Sequence, residues 1–152
     1  MFEPVHTMTD YYDGPRRGIA DYRGRPHLYE SRWSDIDTDQ EDTFLLMPIS
    51  AETFELALED WAIWRRWEIA FHEGRTSVDT HPALPEDRTR YDEIKQELNR
   101  RLVMDESQAI CAKATFQAIE QVKSEPGWKP LIVEWREVSC QDALDNRMNV
   151  KW

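Results

Sequence analysis

Residues 50–74 read SAETFELALEDWAIWRRWEIAFHEG, and this stretch decides the fold class. Ser50 is a good N-cap, because its hydroxyl can accept from an unpaired N–H of the first turn. Glu52 then sets a carboxylate where the helix dipole is positive. Gly74 supplies the stop after about Glu73. At 1.5 Å per residue such a helix is roughly 33 Å long, enough to cross a domain. Glu52, Glu55, Glu59, Arg66 and Glu73 fall on one narrow stripe, while Phe54, Leu56, Ala57, Leu58, Trp61, Ile63, Trp64, Trp67, Ile69 and Phe71 take most of the remaining circumference. A helix so apolar around its girth is buried on several sides. The expectation is a central helix packed on a sheet and against a second helix.

The second helix follows a loop, Arg75 to Leu84. Pro85 with Glu86 and Asp87 marks its start, and Tyr91, Ile94, Leu98 and Leu102 repeat at three- and four-residue spacing to give one apolar face. Upstream, Asp13-Gly14-Pro15 is a turn signal after a polar, aromatic opening (Met1 to Asp13) without a clear period. Arg17 to Trp33 reads as a hairpin, with Ile19–Tyr22 as one arm, Arg23-Gly24-Arg25 as the turn and Pro26–Trp33 as the other arm. Both faces of that second arm are mixed, so it should be half covered. Thr43–Met47, closed by Pro48, is a short apolar run that suits a buried third strand.

Downstream, Ile110–Ala118 alternates apolar and polar residues, and Leu131–Val138 is rich in β-branched and aromatic ones after a Pro126-Gly127 turn signal. They pair as a second antiparallel unit. The expected architecture is α+β in the order β-β-β-α-α-β-β, with an antiparallel sheet of about five strands packed on the two helices. A single domain over residues 1–138 and a polar C-terminal tail over 139–152 complete it.

The 152 residues are 40% hydrophobic and 32% charged, ordinary for a globular domain and too apolar for disorder. Cys111 and Cys140 do not amount to a disulfide framework, and no paired thiolates stand at metal-binding spacing. No basic start followed by an apolar run marks a secretory signal, and charges interrupt every apolar stretch too often for a membrane span. The cytoplasm is therefore the expected location. A net charge of −11 argues against nucleic acid and anionic membranes as partners and favours encounter with a basic protein surface.

Two surface patches fit such a partner. One is Trp33 with the acidic loop Asp35, Asp37, Asp39, Glu41 and Asp42. Its Asp-x-Asp-x-Asp opening evokes a calcium loop, but Gln40 and Leu46 stand where the glycine and the bidentate glutamate are needed. The other is Tyr11, Tyr12 and Arg16, residue types common in interfaces.

A third constellation would carry chemistry. Arg65, Glu68 and His72 share one helix face, and Asp79 and His81 follow in the next loop. A Glu/His/Asp/His set can run acid–base or metal-assisted hydrolysis, although Glu-x-x-x-His matches no established metal motif. No nucleophile elbow, phosphate loop or dinucleotide fingerprint is present. The expected function is accordingly a non-enzymatic acidic binding domain of the inhibitor or immunity type, needing no cofactor or metal. A small hydrolase and a structural subunit of a larger assembly are the alternatives.

Overall fold

A computed structural model describes residues 1–32, 43–119 and 129–140 of the chain. The long helix forms where capping and periodicity place it. It is α1, Ala51–His72, with the Ser50 side chain accepting from Thr53 N–H at 3.1 Å and Gly74 at φ 74° beyond the Glu73 cap. Two short 3₁₀ turns, Val78–Thr80 and Pro85–Asp87, lead into α2, Arg88–Arg101. The strands are β1 (Glu3–Pro4), β2 (Asp10–Tyr11), β3 (Pro15–Tyr22), β4 (Arg25–Ser31), β5 (Thr43–Pro48), β6 (Ile110–Ala118) and β7 (Leu131–Val138).

All seven belong to one antiparallel sheet in the order β1-β7-β6-β5-β4-β3-β2, so the class is α+β. The count exceeds the five expected, and the two additional strands come from the opening segment. Each is two residues long, too short to show alternation, so only tertiary pairing reveals them. The chain divides into two compact units, one holding Met1–Ile49, Met104–Gln117 and Ile132–Trp152, the other Ser50–Val103 and Ala118–Leu131.

In the sheet unit, β1 and β2 are two ends of one opening segment, and that segment touches both margins of the sheet. Glu3 pairs with Val133 of β7, whereas Val5 bridges Ala20 and Asp10 pairs with Arg17 on β3. His6 and Thr7 N–H groups both donate to Ile19 O, at 2.8 and 3.1 Å. The sheet is thereby closed on itself, and closure removes unpaired strand edges. The Glu3 carboxylate adds a clasp by accepting from Arg23 N–H (3.1 Å) and Gly24 N–H (2.7 Å) in the β3–β4 turn.

Four aromatic rings from four successive strands meet inside this unit. Tyr29, Phe44, Phe116 and Trp135 lie with centroids 5.6 to 6.2 Å apart in tilted or edge-on contacts, the arrangement that aromatic quadrupoles favour. The Tyr29 hydroxyl, fully buried, donates to Thr7 O at 2.8 Å, and the Trp135 indole N–H donates to Asp21 O at 3.0 Å. Burial pushes the Tyr29 phenol far above the usual tyrosine range, so it remains a donor at every relevant pH. On β4 the run His27, Leu28, Tyr29 is buried on both faces, where a half-covered arm was expected; the other polar residues, Arg25, Glu30 and Ser31, lie at the strand's ends. The expected buried strand β5 keeps Phe44 to Met47 all buried. Cys111 on β6 is joined to Cys140 by a disulfide, Cα–Cα 5.2 Å, although no sequence spacing pairs them.

In the helical unit, α1 and α2 run antiparallel, as the cross-helix ion pairs show. Glu52 meets Arg101 (3.1 Å), Glu59 meets Arg90 (2.7 Å), Asp60 meets Lys95 (3.2 Å) and Arg66 meets Asp87 (2.9 Å). Three members of the charged stripe of α1 thus line the seam with α2. Exposed pairs of this kind contribute little each, but together they fix register. Asp60 differs, because it is only 7% exposed and Lys95 reaches it from α2.

Two tests follow from the packing. A Cβ built on Gly18 would lie 2.1 Å from Thr7 O and 2.7 Å from the Tyr29 hydroxyl, whereas one on Gly24 meets nothing within 4 Å. Gly18→Ala should therefore cost about 3 kcal/mol or more in urea unfolding, against roughly 1–2 kcal/mol of backbone strain for Gly24→Ala. In a double-mutant cycle, Asp60→Asn and Lys95→Met should show a coupling of about 1–2 kcal/mol, between the values for surface and buried pairs.

Candidate functional site

The opening segment and the β3 start build the first site. The chain reverses at Asp13 (φ 53°) and Gly14 (φ 117°), and Tyr12 N–H donates to Gly14 O at 2.9 Å. Glycine meets that second angle without a steric penalty. Arg16 then fastens the turn from below. Its Nε donates to Tyr12 O at 2.6 Å, while its terminal nitrogens lie 3.5 Å from Asp13 O and 3.5 Å from Ser31 Oγ. Arg16 is only 7% exposed, so its guanidinium is satisfied by these acceptors rather than held out to solvent. Tyr11 and Tyr12 are the outward-facing members, 64% and 68% exposed.

Ser31 is the last residue of β4, and the acidic segment departs two residues later. Arg32 N–H donates to Thr43 O at 2.7 Å, so the two residues that flank the acidic segment meet across β4 and β5, and the Arg32 side chain pairs with Glu106. Trp33, Asp35, Asp37, Asp39, Glu41 and Asp42 themselves lie outside the described residues. Residues 141–152 of the expected tail lie outside them too. What the structure brings together is the tyrosine turn and the root of the acidic segment, both at the same end of the β3–β4–β5 ladder. Two patches that the sequence separates by twenty residues thus emerge as neighbours at their anchor points. The sequence signal for the turn was legible in Asp13-Gly14-Pro15; the Arg16–Ser31 approach was not, since it depends on the β3–β4 register of Arg17 against Glu30.

The second constellation is in the helical unit. Arg65 and Glu68 form an ion pair one turn apart on α1, both buried. Burial raises the Glu68 carboxyl above its ordinary value, and the positive charges of Arg65 and His72 only partly counter it. His72 is exposed and lies edge-on to Phe71 (5.7 Å). Asp79 is exposed within the first 3₁₀ turn. His81 stands perpendicular to Trp67 at 4.6 Å, and the Trp67 indole donates to Thr80 Oγ1 at 2.9 Å. Trp67 also stacks on Phe71 at 5.1 Å, so the loop after α1 is gathered around this one indole. Sequence periodicity marked Trp67 as apolar but not as the anchor of that loop. Among the described residues no three His, Cys, Asp or Glu side chains are grouped closely enough to hold a metal ion. Among them also, no helix is long and apolar enough to cross a membrane.

No protein-family model, curated protein or solved structure matches this chain.

The raised Glu68 carboxyl has a pH signature. A folded-state value above the unfolded one means that the native protein binds this proton more tightly. The stabilisation is then fully present below the unfolded value and is lost as pH rises through the raised folded value. Wild type should therefore be most stable relative to Glu68→Gln at acid pH, and its margin should shrink from about pH 4 upward. Urea unfolding of both proteins between about pH 3.5 and 7 measures this; a margin that widens with pH would contradict it.

Proposed function

We propose that the protein is a non-enzymatic binding domain of the inhibitor or immunity type, which engages a basic surface on another protein through Tyr11, Tyr12 and the Trp33–Asp42 segment. The observation that carries this reading is the Arg16 latch, which holds two exposed tyrosines beside the point where the acidic segment leaves the sheet. Five carboxylates and no lysine or arginine occupy residues 33–42, so nearly half of the net charge of −11 is concentrated in ten residues. Such a charge steers a cationic partner during encounter, and tyrosines provide contact area at small entropic cost. Arg16 acts in this scheme by positioning the turn. The closed sheet favours recognition by side chains over addition of a partner strand. A cytoplasmic location belongs to the same proposal, although a disulfide such as Cys111–Cys140 is rare where glutathione keeps thiols reduced.

One observation speaks for an acid–base hydrolase instead. A buried carboxyl with a raised pKa, as at Glu68 beside His72, is a property of general acids. Its Arg65 pairing serves a structural network equally well.

Pull-down from native extract with four baits separates the readings: wild type, Asp37→Lys/Asp39→Lys, Tyr11→Ala/Tyr12→Ala, and the control Glu93→Lys on the exposed side of α2. A partner should bind wild type and Glu93→Lys at low salt, be released at high salt, and fall roughly tenfold or more with either double variant. Equal capture by all four baits would refute the assigned surface. Hydrolytic turnover that disappears in Glu68→Gln would favour the second reading.

A further inference from the structure

The two cysteines lie outside everything described for the tyrosine turn and the Glu68 cluster, and they are the only two in the chain. They are chemically unequal. Cys111 sits within β6, opposite Leu45 of β5 and next to fully buried Ala112, and is itself 4% exposed. Cys140 lies two residues beyond the end of β7 and is only partly buried. Their Cα atoms are 5.2 Å apart, so the sulfurs meet without any rearrangement of the sheet. A cysteine buried inside a strand ladder is reached by a dissolved reagent less readily than a partly buried one beyond the strand's end.

We infer that Cys111 and Cys140 form a thiol–disulfide exchange site for small-molecule disulfides of the oxidised-glutathione class, with Cys140 as the attacking sulfur and Cys111 as the resolving one. In the reduced protein the Cys140 thiol gives up its proton, and its thiolate attacks one sulfur of glutathione disulfide. The glutathione S–S bond breaks, a mixed disulfide forms on Cys140, and the departing glutathione thiolate takes a proton. Cys111 then loses its proton and attacks Cys140 Sγ. The mixed disulfide breaks, the Cys111–Cys140 bond forms, and the second glutathione leaves as its thiol. Two protein thiols have been oxidised to one disulfide, and one glutathione disulfide has been reduced to two thiols. The reverse reaction begins with a glutathione thiolate at the less buried residue, again Cys140. The oxidation state of the surroundings thus decides whether the chain after β7 is tied covalently to β6.

The test uses the full-length chain, reduced and then freed of reductant. A sub-stoichiometric amount of oxidised glutathione is added, the reaction is quenched with acid at successive times, and the mixed disulfide is located by peptide mass mapping. The adduct should appear on Cys140 first and then give way to the intramolecular bond. With Cys111→Ser the Cys140 adduct should accumulate, and with Cys140→Ser modification of Cys111 should be at least about tenfold slower. Near-UV circular dichroism of each reduced sample reports whether the fold persists. An adduct on Cys111 first, or equal adducts on both cysteines, would overturn the assignment, including the case in which reduction alone unfolds the chain.

Discussion

Much of the sheet unit depends on one buried contact, the approach of the opening segment to β3 at Gly18. Thr7 O accepts from the Tyr29 hydroxyl and lies where a side chain on residue 18 would have to be. The Thr7 hydroxyl accepts from Ile19 N–H at 2.8 Å, so this one residue satisfies a donor on each of two strands. With the segment held there, its first residues reach β7 and its last reach the far margin of β3. Loss of that contact would expose two strand margins at once and strand a buried phenol. Closure and core satisfaction are therefore the same event.

The helical unit is organised differently. Its seam carries a ladder of ion pairs, and the buried apolar residues of the unit include Ile94 and Leu98 on α2 and Ala57 and Ile63 on α1. Apolar burial supplies most of the driving force in such a seam, while paired charges select antiparallel alignment against slipped alternatives. The charged stripe of α1 is thus partly an interface. Glu55 and Glu73 remain exposed on it, whereas Glu52, Glu59 and Arg66 are used.

Legibility differed between the two proposed sites for a physical reason. Tyr11 and Tyr12 were identifiable as surface residues because they border a turn that glycine and proline announce, and their exposure follows locally. Arg16 was grouped with them by proximity in sequence, yet it is buried, since a planar guanidinium can satisfy itself on backbone carbonyls of the turn it follows. In the helix, Arg65, Glu68 and His72 were placed on one face by periodicity alone. Burial then separated them, with Glu68 held against Arg65 and His72 left at the exposed helix end.

By itself the sequence determined the elements whose signals are local: α1 with its Ser50 cap and Gly74 stop, the start of α2 near Pro85, and the strands from Ile110 and Leu131. It also determined the concentration of negative charge between β4 and β5. Capping, periodicity and turn chemistry act over a few residues, so they can be read directly. Only the tertiary structure decided the two-residue strands, the closure of the sheet, the disulfide, the α1–α2 ion ladder and the meeting of Arg16 with Ser31. Each of those joins residues far apart in the chain, and their proximity is set by register and packing, which no local pattern encodes.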